Sequence, residues 1–141
     1  MNDKLQQALA KATAKYEAKG YTVTTTTTQL GLIATKGIYE VCIGFYEDGQ
    51  KLLMSNHKNG KFHGKTGFWF ENGQKKLMKS YKNGKASGKH EGWFGNGQQS
   101  YIYNYINGKK HGKQYYWRAK DGRGKTIQLW KNDKFIKFIE Y

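Results

Sequence analysis

The first apolar pattern along the chain is that of a short amphipathic helix. Apolar side chains recur there at spacings of three and four residues, which places them on one helical face. They are Leu5, Ala8, Leu9, Ala12 and Tyr16. Asn2 or Asp3 can cap the start of this helix, and Gly20 can close its end. Because the face is narrow and rich in alanine, we expect the helix to cover the end of another element.

The pattern then changes to one that favours extended strands. The segment from Tyr21, "YTVTTTTTQ", is a run of mainly β-branched residues, which favours a strand over a helix. A second extended segment, "LGLIATKGIYEVCIGF", runs from Leu30 to Phe45, and its glycines predict a bulge or a bend.

Most of the remaining chain repeats a unit of 24 residues, with one residue inserted after Trp117. Several columns of glycine and of bulky aromatic residues keep this interval, and columns that share one register define a repeat protein. They are Gly49, Gly73 and Gly97; Gly60, Gly84 and Gly108; Gly64, Gly88 and Gly112; and Phe45, Trp69, Trp93 and Trp117.

Each unit is predicted to contain two strands and two turns. "EDG", "ENG", "GNG" and "KDG" are tight-turn sequences because Asn, Asp and Gly tolerate positive φ, and "KNG…G" predicts a second, longer turn. On the second strand of each unit, two columns lie an odd number of residues apart and therefore face opposite sides of the sheet. One column is Met54, Met78, Ile102 and Ile127, and the other is His57, Tyr81, Tyr105 and Trp130.

Together these elements predict a mainly β fold, an elongated antiparallel β-hairpin meander with an N-terminal α-helix cap. We divide the chain into a capping segment, residues 1–38, and a repeat region, residues 39–141. The last segment, "DKFIKFIEY", is expected to cover the far end, since terminal repeats are usually atypical.

Charge adds an expectation about partners. The formal net charge is +15, and residues 47–141 hold twenty basic against seven acidic residues, a surplus of +13. A field of this size favours an acidic partner. Lysines also form two columns, the first Lys61, Lys85, Lys109 and Lys134 and the second Lys65, Lys89 and Lys113.

No group of residues predicts catalysis, so we expect a protein that is not an enzyme and that uses no cofactor or metal. His63 and His111 lie two repeats apart, about 19 Å if strands stack at about 4.8 Å, which is too far for one zinc ion. Cys42 lies in an apolar strand and is expected to be a small buried thiol. A lone cysteine, with no signal-peptide pattern and no apolar run long enough to span a membrane, favours a cytoplasmic protein.

The segments "YKNGKASGKHEGWFGNG" and "YINGKKHGKQYYW" resemble the MORN repeat, in particular the variant of bacterial MORN-like antitoxin proteins. The resemblance covers about two thirds of the chain, from Tyr39 to Trp130. It implies a single-layer β-hairpin meander and a role as a scaffold, a lipid-associated module or a toxin-neutralising partner. Ser87 replaces histidine in the middle unit, and the last unit replaces glycine by Asp133.

These observations predict a module that inhibits or neutralises one specific, acidic protein, as an antitoxin, an immunity protein or a phage inhibitor does. We expect contacts from one basic face lined by aromatic rings, since aromatic residues dominate interface energetics. The expected contact residues are Tyr81, Tyr105, Trp130, Lys61, Lys85, Lys89, Lys109 and Lys113.

Three alternatives remain open at this stage. The lysine columns can bind nucleic acid or anionic lipid, or they can be a solvated face that keeps an edge-rich sheet soluble. Residues 1–38 can also carry the binding site, with the repeats serving only to hold them.

Overall fold

The computed structural model describes residues 3–26 and 30–140, which form one helix and a 13-stranded antiparallel sheet. Each strand pairs with the next along the chain, except that the short β7 and β10 lie off this path. The predicted mainly β meander is therefore confirmed. The elements are α1 (Asp3–Ala18), β1 (Thr22–Thr25), β2 (Gly31–Lys36), β3 (Tyr39–Phe45), β4 (Lys51–Lys58), β5 (Lys61–Trp69), β6 (Lys75–Lys82), β7 (Lys85–Ala86), β8 (Gly88–Trp93), β9 (Gln99–Ile106), β10 (Lys109–Lys110), β11 (Gly112–Tyr116), β12 (Thr126–Lys131) and β13 (Lys134–Glu140).

The helix α1 ends at the predicted glycine. Gly20 has a φ of 86°, a backbone conformation that glycine adopts without strain. Its amide donates to the carbonyl of Glu17, and the amide of Tyr21 donates to the carbonyl of Tyr16. This pair of bonds is the Schellman motif, and the rings of Tyr16 and Tyr21 pack edge to face beside it at 5.5 Å. Of the proposed N-terminal caps, Asn2 lies outside the described residues.

The hydrophobic core lies between α1 and the first strands, at one end of the sheet. Leu5 and Tyr16 of the helix pack on side chains of β2 and β3 that point to one side. We call this side of the sheet the helix face and the other side the opposite face. The core residues of the helix face are Leu32, Ala34, Val41, Ile43 and Phe45. The helix thus covers one end of the sheet, as its narrow apolar face predicted.

The strands before the repeats differ in detail from the prediction. The segment from Leu30 to Phe45 is a hairpin, β2 and β3, whose two-residue turn contains Gly37 at a φ of 61°. Residues 27–29, the end of the predicted threonine-rich strand, lie outside the described residues. The proposed division after residue 38 falls in this turn, and β2 and β3 pair on either side of it over six positions.

The turns follow the sequence signals closely. In the "EDG" type, the amide of Gly49 donates to the carbonyl of Tyr46, and Gly49 at a φ of 87° completes a three-residue hairpin loop. In the "KNG" type, two residues with positive φ, such as Asn83 and Gly84, form a tight two-residue turn. Asp133 replaces glycine in the last such turn and still adopts a φ of 67°.

The second glycine of "KNG…G" marks a bulge, whereas the sequence predicted one longer turn. Gly64 and its repeat equivalents have φ values of 83–93°, and the register shifts beside them, which splits the later strands into β7 and β8 and into β10 and β11. Just beyond each bulge a polar side chain is buried on the opposite face. We call these residues the polar column: Thr66, His90 and Gln114, which are 6%, 5% and 0% exposed.

The C-terminal segment adds an edge strand and does not cover the end of the sheet. Every residue of β13 is exposed, including Phe135, Ile136 and Ile139. Two bulges interrupt its pairing with β12, and bulges together with lysines are a usual means of keeping an exposed edge from pairing with other chains. No helix within residues 3–26 and 30–140 is long and apolar enough to cross a membrane.

Candidate functional site

A continuous row of rings runs across the opposite face from β4 to β9, and we call it the ring row. Neighbouring rings on adjacent strands touch, with centroids 4.5–5.2 Å apart. The row arises because paired and diagonal positions on antiparallel strands place their side chains on the same side of the sheet. His57 and Phe62 are directly paired, whereas His90 pairs with Tyr103 and touches Tyr105 diagonally. Its members, in order, are His57, Phe62, Tyr81, His90 and Tyr105.

A second group of rings continues on the same face towards the last strand. Trp130 packs against Phe135 at 6.0 Å, and Phe135 packs against Phe138 at 5.1 Å. The ammonium group of Lys110 lies between the two ring groups, 4.5 Å from the centroid of Tyr103 and 4.9 Å from that of Trp130. The opposite face therefore presents rings and one cation at interaction distance from them.

The tyrosines in and beside the ring row are packed closely enough to change their pKa values. Burial, followed by the influence of Tyr103, raises the pKa of Tyr116 to about 12. Burial also raises the pKa values of Tyr101 and Tyr105. These hydroxyl groups consequently remain neutral hydrogen-bonding groups at physiological pH.

The predicted contact residues fall on two different sides of the sheet. Tyr81, Tyr105 and Trp130 all lie on the opposite face and are half-buried. Tyr81 pairs with Ala86, whereas its neighbour Lys82 pairs with Lys85. Because successive residues of a strand alternate between sides, Lys85 points to the helix face.

The same argument places the other predicted lysines on the helix face. Lys61 pairs with Lys58, Lys109 pairs with Ile106, and Lys89 pairs with Asn104. Lys113 also lies on the helix face, where it pairs with Leu129. The expectation that the tyrosines and the lysines form one basic, aromatic-lined face is therefore wrong, because each of these lysines pairs with a residue on the helix face, as Lys85 pairs with Lys82 and not with Tyr81.

The helix face carries its own repeated contact between lysine and tryptophan. The ammonium group of Lys51 lies 5.1 Å from the ring centroid of Trp69, and that of Lys75 lies 5.8 Å from the ring centroid of Trp93. Burial, followed by the nearby charge of Lys15, lowers the pKa of Lys51. These lysines thus stabilise the large rings of the single-layer sheet by cation–π contacts.

Four polar side chains also meet on the opposite face of β3 and β4. The thiol of Cys42 lies 3.5 Å from Oε1 of Glu40, and the hydroxyl of Ser55 lies 2.9 Å from Nε2 of His57. Cys42 is half-buried, and desolvation followed by the hydrogen bond to Glu40 raises the pKa of its thiol. The sequence prediction of a simple buried thiol did not include these neighbours.

Several residues of these surfaces were missed by the sequence reasoning. Phe62, His90 and Lys110 all point to the opposite face, but each belongs to a column whose residue type changes between repeats. The 24-residue spacing could have shown that Phe62 and Lys110 occupy equivalent positions, since they are two units apart. Only the observed register shows that such positions join the rings of neighbouring strands.

Comparison with protein-family models, with curated proteins and with solved structures finds no significant match to this chain.

Proposed function

We propose that this chain is a non-enzymatic binding protein that docks an acidic protein against its ring row and thereby inhibits or neutralises it. The single observation that carries the proposal is the ring row itself. Partly exposed aromatic side chains held rigidly on a sheet supply contact area at low entropic cost, and tyrosine and tryptophan are enriched among interface hot spots.

The charge of the chain supports an acidic partner. The net charge of +15 creates a field that attracts and orients an acidic surface during encounter. On the opposite face, Lys110 already contacts the rings of Tyr103 and Trp130 and can pair with a carboxylate at the border of the docked surface. The proposed action on a toxin or a similar target, and a cytoplasmic location, follow from the resemblance to bacterial MORN-like antitoxin proteins and from the single cysteine.

The experiment compares variants of the two faces. The tagged chain is used to capture partners, each captured protein is purified separately, and its binding to the chain is measured by calorimetry. We expect Tyr81→Ala together with Tyr105→Ala to weaken binding by at least about 30-fold, the cost of one hot-spot residue of about 2 kcal/mol. The activity of the partner should be inhibited by the native chain and not by this variant.

The matched control is Tyr39→Ala. Tyr39 is an exposed tyrosine, 45% accessible, but it pairs with Lys58 and lies on the helix face. Its loss should leave the affinity within about twofold. Equal losses in the ring-row variant and in the Tyr39 variant would contradict docking on the opposite face.

A second candidate function rests on the lysine columns of the helix face. All seven of their members are exposed and lie on this side of the sheet, namely Lys61, Lys65, Lys85, Lys89, Lys109, Lys113 and Lys134. Successive lysines of one column are about 10 Å apart, two strand widths, which suits a phosphate backbone or an anionic lipid surface. If Lys85→Gln with Lys109→Gln removes binding while the tyrosine variant retains it, this second function replaces the first.

A further inference from the structure

We propose that Glu40, Cys42 and His57 form a zinc-binding site on the opposite face. The site arises from the register of two strands, which pairs Glu40 of β3 with His57 of β4, and Cys42 of β3 with Ser55 of β4. Because alternate residues of a strand share a side, all four side chains project from the same patch of sheet. One ligand atom from each of Glu40, Cys42 and His57 lies within 4.8 Å of the other two.

The distances are close to those that zinc requires. Zinc binds cysteine sulfur at about 2.3 Å and histidine nitrogen or carboxylate oxygen at about 2.0–2.2 Å, which separates neighbouring ligand atoms by about 3.3–3.7 Å in a tetrahedral site. The Cys42 sulfur and the Glu40 oxygen are already 3.5 Å apart. One imidazole nitrogen of His57 lies within 4.8 Å of both atoms and has to approach them by up to about 1.5 Å.

The donor set also selects the class of metal. A thiolate with an imidazole and one carboxylate suits zinc, whereas magnesium and calcium prefer oxygen ligands alone. The charges balance: binding Zn²⁺ releases the proton of the Cys42 thiol, and the thiolate and the Glu40 carboxylate then neutralise the ion. Because Glu40 is already counted in the formal net charge of +15, the ion (+2) and the released proton (−1) together add only +1 to that charge.

The surrounding groups are arranged to hold the histidine. The Ser55 hydroxyl lies 2.9 Å from Nε2 of His57 and can accept a hydrogen bond from an Nε2–H group, the tautomer in which the lone pair for a metal is on Nδ1. On the other side of the imidazole, Phe62 packs at 4.9 Å. Thr66 of β5 pairs directly with Ser55 of β4, is 6% exposed, and has a hydroxyl with no hydrogen-bond partner within the described residues. A water in the fourth zinc position would give this buried patch a further polar group.

This site differs from the sequence expectation, which weighed only the distance between His63 and His111. The spacing of Glu40 and Cys42 in one strand, and of Ser55 and His57 in the next, carries no metal signature by itself. Its convergence depends on the hairpin that joins β3 to β4. The proposal is independent of docking at the ring row, because it involves no binding partner and concerns the end of the row next to the helical cap.

The test is a titration of the EDTA-treated full chain with Co²⁺, which replaces zinc and reports its ligands spectroscopically. We expect one equivalent to produce a sulfur-to-cobalt charge-transfer band together with ligand-field absorption typical of tetrahedral cobalt, both removed by one equivalent of Zn²⁺. Cys42→Ser should abolish the charge-transfer band. His57→Gln and Glu40→Gln should weaken the zinc affinity by more than the roughly 10- to 100-fold that loss of an outer-shell group costs, and Ser55→Ala should fall within that range.

The control variant is His63→Gln, which removes an imidazole outside the cluster and should leave the zinc affinity unchanged. Far-UV circular dichroism checks that each variant retains its sheet. A measurement on the native chain needs no variant: Zn²⁺ should slow the reaction of Cys42 with a disulfide reagent by at least about tenfold. The absence of both the charge-transfer band and this protection would overturn the proposal, as would a His57→Gln spectrum identical to that of the native chain.

Discussion

His90 donates a hydrogen bond from its Nε2 to the backbone carbonyl of Ser80, at 2.7 Å, across the gap that the bulge opens between β6 and β8. The imidazole is 5% exposed and is held between the rings of Tyr81 and Tyr105. It therefore has two roles, since it gives the Ser80 carbonyl a second hydrogen bond beside the one from the Ser87 amide at 3.0 Å, and it connects two rings of the ring row.

The first prediction concerns the effect of pH on this buried histidine. Burial, followed by the charge of Lys79, lowers the pKa of His90, although the bond to Ser80 acts in the other direction. In the unfolded chain the pKa returns to about 6.5, so the unfolded state binds more protons in mild acid. The free energy of unfolding should therefore fall as the pH decreases through about 6.5, as measured by urea denaturation between about pH 8 and pH 5.

The comparison that isolates His90 uses His90→Gln, because glutamine occupies the equivalent position, Gln114, in the next unit. This variant should show a shallower loss of stability over the same pH range. His63→Gln removes a titratable group outside the polar column and serves as the matched control. If His90→Gln and the native chain lose stability equally, burial of a neutral imidazole is not the cause.

The second prediction compares two members of the polar column that differ in hydrogen bonding. The side-chain oxygen of Gln114 accepts a hydrogen bond from the backbone amide of Asn104 at 2.8 Å. Its side-chain NH2 group donates a hydrogen bond to the backbone carbonyl of Asn104 at 3.0 Å. At the equivalent position the Thr66 hydroxyl has no partner within the described residues. Gln114→Leu should therefore cost about 1–3 kcal/mol, whereas Thr66→Val should be neutral or slightly stabilising.

Denaturation in urea measures both variants, and the linear slope of the free energy against urea should stay unchanged if the fold is intact. An equal cost for the two variants would mean that the buried volume, and not the pair of bonds to Asn104, decides the stability at these positions.

The sequence predicted the parts of the fold that depend on local backbone conformation. Gly20 ends the helix and Asn83 with Gly84 forms a turn because positive φ is needed there, and few residues adopt it. The bulge at Gly64 was predicted as part of a longer turn, since the same residue type serves both purposes. Which one forms depends on whether the next strand can supply a hydrogen-bond partner, and a single segment does not contain that information.

The candidate site was harder to predict than the fold for a related reason. The repeat interval aligns equivalent residues into columns but does not by itself state which columns share a side of the sheet. Tyr81 and Lys85 are separated by a two-residue turn, and their opposite orientation follows only when Lys82 is seen to pair with Lys85. Likewise, Glu40 and His57 meet only through the pairing of β3 with β4.

The last prediction uses this separation of the two faces to distinguish the candidate functions. Binding of a single-stranded oligonucleotide through the lysine columns should weaken with salt, with a log–log slope of about −0.7 for each phosphate contacted. Replacing Lys85, Lys109 and Lys113 by glutamine should reduce that slope by about 2, as measured by fluorescence anisotropy. Because Tyr81 lies on the other side of the sheet, Tyr81→Ala should leave the slope and the affinity unchanged. If Tyr81→Ala weakens oligonucleotide binding instead, bases stack on the ring row, and nucleic acid becomes the ligand of the opposite face.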